Sequence, residues 1–209
     1  MITKIWHRLS IPGLAALGLT VVIAAMVAIE CLQSARSEDT PANAGGFSPY
    51  VANDGAISLP KDYRESFVHL GTWAVAKDKD KPVFEMHNVY TKPDAIQAYR
   101  RDGKFPDGAV LVKEITNADA AKLTTGESSW STDTKVWFVM IKDSKGRFPG
   151  NHLWGDGWGW ALFKSDDPKK NVATDFKTDC ITCHIPAKQD DWIYTRGYPI
   201  LKKTAAALQ

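Results

Sequence analysis

Apolar and polar positions divide the chain into an apolar lead, a stretch of small polar residues, and a body of short alternating runs. Ile11–Ile29 is mostly apolar and follows Lys4, His7 and Arg8. A positive end ahead of an apolar run is the pattern of a secretory signal or a membrane anchor, and this run approaches the ~20 residues that span a bilayer. Residues 1–30 are therefore expected to export the chain. They are then either cleaved, leaving a soluble protein, or kept as a tether to the inner membrane, the only membrane contact expected. Ala42-Asn43-Ala44 has the small-x-small form of a cleavage site but lies far from the run. Cys31 follows Glu30, which does not suit lipoprotein processing. Residues 31–57, rich in Ser, Ala, Gly, Asn and Asp, read as a linker. Residues 58–205 form the exported domain.

Within that domain the pattern predicts mostly strands. Phe67–Ala76 and Val83–Thr91 carry apolar and β-forming residues at alternate positions. Asp94–Asp102, opened by Pro93 and closed by Gly103, is predicted as a helix with Ile96 and Tyr99 on its buried face. Gly108–Thr116 is a third strand, and Asn117–Leu123 reads as a helical turn. Lys135–Lys142 is almost continuously apolar, as in a central strand buried on both faces. Trp158–Lys164 follows a Gly-rich turn as a fifth strand, and Asp175–His184 is predicted as one helix. Strands in series with short turns favour an α+β fold built on an antiparallel sheet with a few short helices.

Composition narrows the class. The 209 residues are 44% hydrophobic and include 8 Trp, 6 Tyr and 8 Phe, which excludes intrinsic disorder. No internal repeat or heptad run is present. The formal charge is only +2 with scattered basic residues, so nucleic acid is not an expected partner.

Three cysteines do not make a disulfide framework, but two of them stand as Cys180-Ile181-Thr182-Cys183-His184. A C-x-x-C-H run reads as a c-type haem attachment site. Two thiols about one helical turn apart can each add to one vinyl group at a haem edge. The His after the second Cys then faces the iron as proximal ligand. The competing readings are half a zinc site or a redox pair. The first lacks a second pair of ligands, and the second lacks a βαβ setting. One covalently attached haem c, with His184 as the iron ligand, is the expected cofactor.

The motif lies near the C-terminus of a strand-rich body, unlike the small helical cytochromes. Around it stand Leu59-Pro60-Lys61-Asp62-Tyr63-Arg64, Asn88-Val89-Tyr90, and Gly103-Lys104-Phe105-Pro106-Asp107-Gly108 leading into Val112-Lys113-Glu114. Tyr194-Thr195-Arg196-Gly197-Tyr198-Pro199 follows the motif. In their order and spacing, over residues 58–202, these segments resemble the cytochrome P460 family, which is similar to cytochrome c′-β. The resemblance implies a periplasmic antiparallel-sheet haem protein, often a homodimer, with a redox partner protein. It implies action on hydroxylamine, or binding of small gases such as nitric oxide. It also implies a lysine bonded to the haem ring, at the position of Lys113, and a distal carboxylate at the position that is Phe138 here, in the strand leading to Lys142-Asp143-Ser144.

The residues also have their own logic. Strand alternation puts Leu111 and Lys113 on one face and Val110, Val112 and Glu114 on the other. Likewise Phe138 and Met140 share a face that Trp137 and Val139 do not. A lysine facing a dry pocket would hold more neutral, reactive amine; the plain alternative is a snorkelling edge lysine. Phe138 reads either as a distal wall or as ordinary core, and Met140 as core. His87 and Met86 are neighbours on a strand, so only one can point inward. The resemblance implies a basic residue near the haem at His87, which otherwise reads as a surface histidine. His152 reads as exposed, and Arg196 as a partner for a haem propionate or a surface salt bridge. Trp154, Trp158 and Trp160 read as packing residues. Without a second strong ligand the iron is expected to be five-coordinate. The chain is then either an oxidoreductase for hydroxylamine or peroxide, or a protein that binds gas or passes electrons.

Overall fold

The computed structural model describes residues 47–79 and 81–202. The apolar lead and most of the linker lie outside the described residues. Among the described residues no helix is long and apolar enough to cross a membrane. The architecture is α+β. Seven strands form one antiparallel sheet: β1 (Val68–Ala76), β2 (Val83–Thr91), β3 (Val110–Leu123), β4 (Gly126–Lys142), β5 (Trp154–Gly155), β6 (Trp158–Lys164) and β7 (Asp167–Asn171). They run in the order β1-β2-β3-β4-β6-β5, with β7 also on β6. Among the described residues four short helices accompany them: α1 (Tyr63–Ser66), α2 (Pro93–Asp102), α3 (Phe176–Asp179) and α4 (Ile181–His184). The five expected strands and the helix after Pro93 are all present. Gly103 ends α2 at φ 71°, its N–H donating to the Tyr99 carbonyl at 2.8 Å.

The sheet is covered on both faces, which is why β3 and β4 are apolar at successive positions. On one face Val110, Val112, Val139 and Ile141 pack against Val51, Ile57, Tyr63 and Phe67. On the other, Leu111, Met140, Trp158 and Trp160 pack against α2 and the C-terminal segment through Ile96, Trp192 and Tyr198. The tail of the expected linker thus belongs to the fold. Val51 and Ile57 are buried and bridge to each other, and Trp154 Nε1 donates to the Gly55 carbonyl at 2.8 Å.

Two predicted elements differ. Asn117–Leu123 is not a helical turn but the outer half of β3, paired residue by residue from Ala118 opposite Ser131 to Leu123 opposite Gly126. Its Ala, Lys and Leu content favours helix, but seven residues cannot sustain one alone, and the β4 ladder supplies every partner. Asp175–His184 is two helices broken at Cys180, whose φ of −131° leaves the helical region. The Asp179 carboxylate turns back to accept the Thr174 and Asp175 N–H groups at 2.7 and 3.2 Å, closing the first turn as a separate unit.

Candidate functional site

The site lies between the sheet and the C-terminal segment. Two adjoining cavities of about 90 and 100 Å³ share Lys113, Phe138, Met140, Cys183 and His184, so they form one cleft. Register makes the sheet wall. Val89 is opposite Lys113 and Lys113 opposite Phe138, while Leu111 is opposite Met140. All five point to the same side, as the alternation predicts. The other wall carries Cys183, His184, Ile193, Tyr194 and Tyr198.

Docking of that wall depends on close backbone approach. A Cβ on Gly71 of β1 would stand 2.5 Å from the Gly197 carbonyl oxygen, and one on Gly197 would strike the Trp73 ring. Only glycine lets these segments meet. Trp73 then meets the Tyr194 ring edge-on at 6.2 Å, and the Tyr194 hydroxyl donates to the Cys183 carbonyl.

The two thiols and the imidazole are brought together. Cys180 and Cys183 are both free, the first buried and the second exposed. Burial, with Asp179 beside it, pushes the Cys180 thiol up to about 11, so on its own it stays a neutral thiol. Among the described residues no group of three or more His, Cys, Asp or Glu is arranged to hold a metal ion. His184 Nδ1 lies 2.7 Å from the Trp192 carbonyl. That oxygen can only accept, so Nδ1 carries the proton and Nε2 keeps its lone pair. Burial lowers the His184 pKa, the Trp192 bond opposes this, and the Lys113 charge adds to the lowering. The ring is thus held neutral, with Trp160 edge-on at 5.0 Å.

Lys113 makes no hydrogen bond or ion pair with any described residue. Its Nζ lies 4.4 Å from the centre of the Phe138 ring. Burial lowers its pKa, against the pull of the two cysteines and Glu85. Phe138 is half-buried and forms the apolar wall with Met140. His87 stands on the same sheet face, two residues from Val89, but lines neither cavity. Its Nε2 is 3.4 Å from Glu85 Oε2, and burial followed by the Lys113 charge lowers its pKa. Arg196 is exposed on a 3₁₀ turn and also lines neither cavity. Asp179 is the carboxylate among the described residues lining the second cavity, but the N–H bonds it accepts from the Thr174 and Asp175 backbone bring it down to about 2 and commit it.

Sequence reasoning read Trp160 as packing only, and passed over Ile193 and the Trp192 carbonyl. Tyr194 and Tyr198 stood in a quoted motif without a role. Alternation placed Leu111 on the Lys113 face, but nothing local marks a backbone carbonyl as the partner of a distant histidine.

An antiparallel sheet that offers an apolar wall to two free thiols and an oriented neutral imidazole has the parts that a sheet-based haem protein requires. The chain belongs to the cytochrome P460 family, whose model matches residues 60–195. Membership implies a haem-dependent c-type cytochrome. A search among curated proteins finds no match. The residues present fit the group: unpaired thiols at C-x-x-C spacing, a histidine whose far nitrogen is already bonded to a carbonyl, and an apolar cleft.

Proposed function

We propose that the chain is an exported mono-haem cytochrome of the P460 type that handles small nitrogen species at a five-coordinate iron. The haem would be joined to Cys180 and Cys183 by addition of each S–H across a vinyl group, with His184 as proximal ligand. Bound haem supplies one-electron chemistry and an open coordination position. Arg196 is the candidate for a propionate at the rim, and Lys113 for a C–N bond to the ring edge, which replaces one amine N–H and one ring C–H and passes two electrons to an oxidant such as peroxide. The protein keeps its haem colour and haem-added mass under denaturing conditions if the thioether reading holds; loss of haem on denaturation rules it out. Digestion should yield one haem joining the Cys180–His184 peptide to the Lys113 peptide. A ferrous spectrum unchanged by Lys113→Ala would remove the lysine bond and leave a protein closer to cytochrome c′-β.

The observation that carries the finer reading is the wall facing His184. Val89, Leu111, Phe138 and Met140 are apolar, and Asp179, the one carboxylate among the described residues that line the cleft, is committed to backbone N–H groups. Hydroxylamine oxidation removes protons as well as electrons and needs a positioned acceptor. Binding of nitric oxide does not. We infer that hydroxylamine oxidation is weak or absent while nitric oxide binding, or turnover of peroxide, is retained. Steady-state hydroxylamine oxidation with an artificial electron acceptor tests this, alongside the ferrous spectrum under nitric oxide. Brisk hydroxylamine turnover by the wild type would refute it.

A further inference from the structure

We propose that Lys142 and Asp191 form a clamp that aims the Trp192 carbonyl at His184 and so sets the strength of the proximal ligand. They are positioning residues, lining neither cavity. Asp191 and Trp192 are consecutive non-glycine residues with φ of 59° and 67°. That left-handed region crowds the Cβ of an L-residue, and for a bulky side chain such as Trp it is rare. Two in succession persist only where their surroundings over-determine them.

Here the surroundings do so. The Asp191 carboxylate accepts from Lys142 Nζ through one oxygen and from the Phe105 N–H at 3.2 Å through the other. The Asp191 carbonyl accepts from Trp158 Nε1 at 3.1 Å, and the Trp192 N–H donates to the Ala187 carbonyl at 3.0 Å. The Lys142 ammonium also lies 4.8 Å from the centre of the Trp158 ring. Lys142 ends β4 and Trp158 opens β6, so the rigid centre of the sheet holds the loop. Both side chains of the ion pair are about nine-tenths buried. A buried pair stabilises little, because desolvation offsets the attraction. What this one specifies is geometry. With Asp191 held, Trp192 turns its carbonyl to within 2.7 Å of His184 Nδ1. A carbonyl accepting the far N–H of a ligating histidine raises the basicity of the nitrogen that faces the metal and fixes its plane.

This role rests on His184 holding the iron, as proposed above. Three properties of the haem-loaded protein test it: the ferrous iron–histidine stretching frequency, the reduction potential, and the crystal structure around Trp192. Lys142→Met is expected to lower the frequency and raise the potential, because a less basic imidazole stabilises the ferric state less. Its crystal structure is expected to show Trp192 out of the left-handed region and its carbonyl beyond hydrogen-bond reach of His184. Lys142→Arg should restore all three. Asp191→Asn keeps the side-chain shape and the acceptor for Phe105 and removes the charge. It should shift the same way, and it serves where Lys142→Met does not fold. A folded, haem-loaded variant with unchanged frequency, potential and Trp192 geometry overturns the clamp. Wild-type protein without covalent haem overturns the haem assignment instead, and the crystal structure of the variant still decides whether the pair aims the carbonyl.

Discussion

Two facing residues set the chemistry open to the cleft. Lys113 and Phe138 are cross-strand partners, with the amine against the ring face. Together they put one buried amine and one apolar ring on the wall opposite His184. If the absent proton acceptor is what limits hydroxylamine oxidation, Phe138→Glu should raise kcat/KM by tenfold or more, the lower range of general-base effects being about 100-fold. Steady-state kinetics with an artificial acceptor check this, and an unchanged kcat/KM would place the limit elsewhere. Each of these residues was legible by alternation, because side-chain direction in a strand is set by the backbone alone. His87 shows the limit of that rule. It lies on the correct face yet outside both cavities, because the cleft ends at Val89 and Lys113 while β2 and β3 run on to Glu85 and Asn117.

Between elements, the cleft exists because the C-terminal segment lies against β1. The contact is made by two glycines with no room for a methyl group, and Gly71 meets backbone rather than a movable side chain. Gly71→Ala is expected to cost about 2 kcal/mol by overpacking, read as a lower urea midpoint at unchanged m-value. It should also lower the yield of haem attachment, since the displaced wall carries Tyr194 and Tyr198. Asp175 accepts the Lys177 N–H at 2.8 Å at the start of α3. Asp175→Ala should cost about 1 kcal/mol, the usual value of a helix N-cap. The same denaturation measures it, and a smaller loss would show that Asp179 alone closes the turn. The β3–β4 ribbon beyond Ala118 makes the opposite point. Its composition favours helix, and only its partner strand makes it β.

Across the whole molecule, charge ties the entrance of β3 to the loop after β4. Asp107 accepts from Arg147, from the Ser144 hydroxyl at 2.8 Å and from the Ser144 N–H at 2.9 Å. The Arg147 guanidinium, first among these, brings the carboxyl down to about 2. The folded pKa is depressed, so the stabilisation is present above pH ~4 and is lost as pH falls through about 2. With solvent screening at this partly exposed site it contributes about 1 kcal/mol. Urea midpoints from pH 5 to pH 2 should therefore fall more steeply for the wild type than for Asp107→Asn, and parallel curves would show that the knot contributes nothing. At this scale the division between sequence and structure is plain. The C-x-x-C-H run, the strand periods and the faces of Leu111, Lys113, Phe138 and Met140 follow from the sequence, because covalent spacing and backbone period are local. The outer half of β3, the break at Cys180 and the place of Val51 and Ile57 in the core do not. Nor do the left-handed pair at Asp191 and Trp192 or the carbonyl that orients His184. Each of these depends on a partner distant in the chain, and only tertiary packing decides which hydrogen bonds and which apolar faces are satisfied together.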